Sequence, residues 1–155
     1  MRLLPTLSLL LVMPAFAQPE VDSLLHAGEE PVGVVFEIIE DDEDDLLWAL
    51  PKVDRLSARL RERFPDLSIV VVTHGREQFG LVSSEAAGPL APIHQAARDL
   101  RRQEIGLHVC GVHASWEGYV PEDYPDYVDV APSGPAQIRD YENLGYEVIR
   151  LATDD

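Results

Sequence analysis

The sequence predicts an α/β domain built on a mostly parallel, five-stranded sheet with helices on both faces. Three observations carry this expectation. Short apolar runs rich in β-branched residues recur along the chain, at 32–39 (VGVVFEII), 67–73 (LSIVVVT) and 107–111 (LHVCG). Their near-continuous apolarity is what strands covered on both faces require. Segments with helical apolar spacing separate them, and that alternation implies right-handed crossovers and parallel pairing.

The elements follow in order. Arg2 precedes the uninterrupted apolar run Leu7 to Met13, which is too short to span a bilayer. Pro14 and then Ala15-Phe16-Ala17 complete the pattern of an export signal cleaved after Ala17. Residues 1–17 are thus expected to be a signal peptide, 18–30 a polar leader in which Val21, Leu24 and Leu25 form a short docking turn, and 31–155 the folded domain, delivered to the periplasm. No cysteine follows the cleavage point to carry a lipid, and no later stretch has the apolar length of a membrane helix. The first strand is 32–39. From Asp45 to Phe64 the residues Leu46, Leu47, Leu50, Val53, Leu56 and Leu60 recur at helical spacing, with Pro51 bending the helix or marking its start. The second strand, 67–73, ends at His74-Gly75, and 76–90 reads as loop or broken helix. A helix over 93–102 leads to the third strand, 107–111, which ends in Cys110-Gly111. A helical turn near His113 to Tyr119, a fourth strand at 127–130, a helix capped at Ser133 and closed by Gly145, and a fifth strand at 146–151 complete the domain.

Charge and cysteine count narrow the function. The chain carries 12 basic and 28 acidic residues, a net charge of −16 that becomes −17 once Arg2 leaves with the signal. Nucleic acid and anionic membrane are both approached through positive surface, so neither is expected as a partner. The acidic run Glu40 to Asp45 lacks the alternating ligands and central glycine of a calcium loop and reads as a solvated turn. Exported chains normally pair their thiols, yet this one has a single cysteine. In a parallel sheet, chemistry sits beyond the carboxyl ends of the strands. The second strand delivers His74 to that edge and the third delivers Cys110, with His113 close behind.

The His74-Gly75 loop, the segment LHVCG, Gly118 with Pro121-Glu122-Asp123, the VAPSG before the last helix and the closing LGYEVIRL together resemble the DsrE/DsrF-like family over roughly residues 32–151. The resemblance implies a flavodoxin-like three-layer domain, assembly as a homo-oligomer (trimer or hexamer), and a sulfurtransferase-like carrier that holds sulfane sulfur as a persulfide on Cys110. A sulfur donor or acceptor protein is the implied partner. His74 and His113 could exchange a proton with Cys110 or hold the terminal sulfur. No phosphate-cradling glycine loop is present, so no cofactor is expected.

A different class of reading stays open, in which Cys110 is a buried structural residue of a non-catalytic oligomeric binding or scaffold domain. His108 alternates onto the same strand face as Cys110, so His108, Cys110 and His113 could also form a three-ligand metal site. Thiol redox catalysis lacks a resolving cysteine in the chain.

Overall fold

The computed structural model describes residues 18–153, and the segment in which the signal peptide and its cleavage site are expected lies outside the described residues. The expected leader folds as helix α1 (Pro19–Ala27). It docks on the domain through Val21, fully buried, and through an Arg59–Asp22 ion pair at 2.7 Å. Then come β1 (Gly33–Ile38), α2 (Leu46–Arg63), β2 (Ser68–Thr73), two 3-10 turns (Arg76–Leu81 and Ser83–Ala86) and α3 (Ala91–Arg102). β3 (Gly106–Cys110) runs directly into the short helix α4 (Gly111–Trp116), followed by a 3-10 turn (Pro121–Asp123), β4 (Asp129–Ala131), α5 (Gly134–Asn143) and β5 (Glu147–Arg150).

All five strands are parallel, in the order β4-β3-β2-β1-β5, which is the three-layer α/β architecture expected. Successive strands step one way from β1 to β4, and α5 then carries the chain back across the sheet to the far side of β1. The two faces therefore differ. Phe36, Ile38, Ile69, Val71, Leu107 and Val109 point into the larger core beneath α1, α2 and α3. Val35, Val70 and Val72 point the other way, where Ile138 and Tyr141 of α5 and Tyr146 cover them.

Helix α2 forms where the spacing predicts, and Pro51 lies inside it. Proline removes one helical donor there, and the residue four before it, Leu47, turns to solvent at 40 % exposure instead of joining the apolar face. Helix α5 is capped by Ser133, whose hydroxyl accepts the Ala136 N–H at 3.4 Å. It ends at Gly145, held at φ 92°, a left-handed value that suits glycine.

Two histidines are spent on packing. His94 of α3 is fully buried and its Nδ1 lies 2.6 Å from the Tyr127 hydroxyl, while His108 Nε2 lies 3.1 Å from the Tyr141 hydroxyl. Burial, the largest influence on each, holds both below the ordinary imidazole value. The fold binds these protons less readily than the unfolded chain, so the stability they lend is present above about pH 6.5 and is lost as pH falls through their folded range. Thermal melts taken between about pH 7.5 and pH 5, above most carboxylate titration, should show Tm falling. The decline should shrink in His108→Gln; an identical decline in that variant would remove His108 from the account.

Candidate functional site

Strand register brings the site residues to one row. Ile38 pairs with Thr73, Thr73 with Val109, and Cys110 with Ala131. One step further along, Ile39, His74, Cys110 and Ala131 lie side by side at the carboxyl edge. Between β3 and β4 the outgoing connections part to opposite faces of the sheet, the position at which open α/β sheets form a crevice. A cavity of about 370 Å³ runs along this edge over the segments that follow β1 to β4, lined by residues that include Glu40, Asp41, His74, Arg76, Cys110, Val112, His113 and Trp116.

Cys110 ends β3 and is the residue before the first turn of α4. It is 3 % exposed, so a reagent must enter the cavity to meet its sulfur. Helix α5 closes over it by starting with glycine. A Cβ at Gly134 would lie 2.7 Å from His74 Cβ and 3.3 Å from Cys110 Cβ, contacts no larger residue tolerates without displacement. The positive end of the α5 dipole therefore lies against Cys110 and His74.

Hydrogen bonds fix both cavity histidines. His74 Nε2 lies 2.9 Å from Glu37 Oε1, so the proton sits on Nε2, where it donates to the carboxylate, and Nδ1 is left as a bare acceptor. His113 Nδ1 donates to the His74 carbonyl at 3.0 Å, leaving its Nε2 bare. Edge-on contact with Phe79 and a tilted contact with Trp116 hold the His113 ring. Cys110 and His74 thus share the cavity and both abut Gly134, while Glu37 orients the His74 ring.

The loops that shape the cavity are held by a buried carboxylate. Glu77 is fully buried and accepts the backbone N–H of Glu40 at 2.8 Å, the backbone N–H of Gly75 at 3.0 Å and the Thr73 hydroxyl. Gly75 has no alternative, since a Cβ there would lie 2.2 Å from Glu77 Oε2 and 2.4 Å from the Glu40 carbonyl. The next residue, Gln78, also fully buried, accepts the Cys110 N–H on Oε1 at 2.8 Å. Its Nε2 has no hydrogen-bond partner among the described residues.

Among the residues expected from sequence, Cys110, His74 and His113 line one cavity. His108 does not join them. Its Nε2 reaches back toward Gly106, at the other end of β3, and bonds Tyr141. Among the described residues no group of three or more His, Cys, Asp or Glu side chains is placed to hold a metal ion. Sequence reasoning missed Glu37, Glu40, Glu77 and Gln78. Glu40 follows β1 at the same carboxyl edge, so the rule that singled out His74 also covered it. It sits above the ordinary carboxylate range, first through burial and then through Asp45, Glu77 and Asp41.

The fold is shared with solved structures. A protein of unknown function from Methanobacterium thermoautotrophicum, MTH1491, superposes with a TM-score of 0.61 at 28 % identity, over 76 % of this chain and 97 % of that one. The ychN protein from E. coli superposes at 0.58 with 16 % identity, over 77 % of this chain and 98 % of that one. No family model matches the sequence, and no curated protein matches it.

Two outcomes follow for the site. Glu77→Ala strands buried donors and should cost about 3 kcal/mol in denaturant unfolding; a loss under about 0.5 kcal/mol would show that the loops hold themselves. Glu37→Gln should slow alkylation of Cys110 by a small neutral reagent roughly tenfold at neutral pH, short of the roughly hundredfold loss expected for His74→Ala. An unchanged rate in the folded Glu37→Gln protein would make the Glu37–His74 pair a packing contact.

Proposed function

We propose that the chain is an exported, periplasmic member of the DsrE/DsrF-like group, a carrier that takes up sulfane sulfur as a persulfide on Cys110 and passes it to a partner thiol. The observation that carries this reading is the placement of the chain's one cysteine in the cavity that His74 also lines, against Gly134 at the N-terminus of α5. In the loading step the Cys110 thiolate attacks the outer sulfur of a donor persulfide, R–S–SH. The donor S–S bond breaks, a new Cys110 S–S bond forms, and R–S⁻ leaves with the electron pair. His74 takes the Cys110 proton and returns it to the departing thiolate, so no net oxidation occurs. Unloading is the same exchange run toward an acceptor thiol.

The homo-oligomer belongs to the same proposal. Val32 and Leu144, 64 % and 66 % exposed, flank Gly145 at the amino end of the sheet, away from the cavity, and offer apolar surface for a neighbouring subunit.

The near-complete burial of Cys110 favours a second reading, a structural cysteine in a binding domain. Intact-mass analysis separates the two. The protein is incubated with excess polysulfide or a small persulfide, beside Cys110→Ser. Gain of one or more sulfur atoms, reversed by reductant and absent from the variant, is the expected result. No gain, with Cys110 alkylated only after unfolding, would give the second reading first place.

A further inference from the structure

The cavity mouth carries a charge pattern that sulfur exchange by itself does not require. Glu40 and Asp41 line it. Arg76, the arginine lining it, is committed at both ends, with Nη2 3.3 Å from Glu43 Oε1 and Nη1 3.7 Å from Glu117 Oε1. Its positive charge is thus offset within the rim, and the rim as a whole stays acidic. Glu40 is displaced upward first by burial and then by the charges of Asp45, Glu77 and Asp41, against the lowering influence of Arg150. Beside the acids lies an apolar ledge. Val112 and Trp116, one helical turn apart on α4, line the cavity yet are 41 % and 74 % exposed.

Resting on the reading of Cys110 as a reactive carrier, we propose that this mouth docks a basic segment of a partner protein, presenting a thiol or persulfide flanked by lysine or arginine. The flanking side chain lays its aliphatic stem along Val112 and Trp116 and sets its cation among Glu40, Asp41 and Glu117. A guanidinium over the Trp116 indole adds cation–π attraction. Charge complementarity selects this occupant. Each copy of the chain has net charge −16 and the same acidic rim, so a second copy placed mouth to mouth brings like charges together. Dianionic free donors such as thiosulfate meet the same repulsion. The carrier therefore exchanges sulfur with a cationic protein surface in preference to a free anion.

The test uses methanethiosulfonate reagents of similar size bearing a trimethylammonium, an uncharged or a sulfonate head, each rate normalised to that on an unfolded cysteine peptide. Cys110 in the folded protein should react with the cationic reagent at least about tenfold faster than with the anionic one at low salt. The ratio should shrink toward one at roughly 0.5 M salt, where screening acts over a few ångströms. It should also fall in the exposed-rim variant Glu43→Gln/Glu117→Gln. A cysteine peptide flanked by arginines should take sulfur from loaded Cys110 faster than one flanked by glutamates. Equal rates across the reagents, or a preference for the anion, would overturn the docking proposal and leave the persulfide reading standing. No labelling by any reagent until the protein unfolds would overturn both. Rates that fall as protein concentration and oligomer size rise together would assign the mouth to a second copy instead.

Discussion

The geometry at the carboxyl edge depends on a carboxylate that has no contact with solvent. Glu77 accepts from the backbone of Glu40, from the backbone of Gly75 and from the Thr73 side chain, and so ties the segment leaving β1 to the segment leaving β2. Taking a carboxylate out of water costs several kcal/mol, and only the full set of donors offsets that cost. Any loop conformation that surrenders one of these bonds is strongly disfavoured. The 3-10 turn Arg76–Leu81 is therefore fixed although it lacks the ladder of a helix or strand, and everything downstream inherits its position. Gln78 is placed to hold the Cys110 amide, and Phe79 to hold the His113 ring.

Apolar and acidic surfaces divide the labour around this frame. The sheet and its helices are held by the continuous core beneath α2 and α3, while the acids that follow β1 stay at the rim, where water supports their charge. One hydrogen-bonded pair reaches further in. His74 and Glu37 lie on the α5 face, where Val35 and Val72 are also found, and each follows a strand residue that points to the opposite core. A polar pair is tolerated at that depth because each partner satisfies the other.

Much of the fold was legible because its signals are local. The runs at 32–39 and 67–73 can be read as doubly buried strands from composition alone, and strand–helix alternation then determines parallel pairing. The edge rule placed Cys110, His74 and His113 together. The pairing partners were illegible because they depend on contacts distant in sequence: Glu37 meets His74 across 37 positions, and Gln78 meets Cys110 across 32. In sequence Glu77 and Gln78 are two polar residues in a stretch with loop-like glycines, and nothing local marks them as buried. The leader was legible only in part: Val21, Leu24 and Leu25 read as a short docking turn, too short an apolar set to reveal the whole helix by periodicity.

The path of the chain sets an order of assembly. The four strands that define the edge come first in sequence, and each packs beside its predecessor as it is made. The wall over the thiol comes from α5, which is among the last segments to be synthesised, and β5 must cross the whole sheet to pair with β1. Until that return is complete, Val35, Val70 and Val72 are bare on one side, and Cys110 has neither Gly134 above it nor the helix end that lies against it. A chain emerging from its amino terminus thus holds an uncovered thiol from residue 110 until α5 is complete, and the cavity exists only when that last part of the chain has docked.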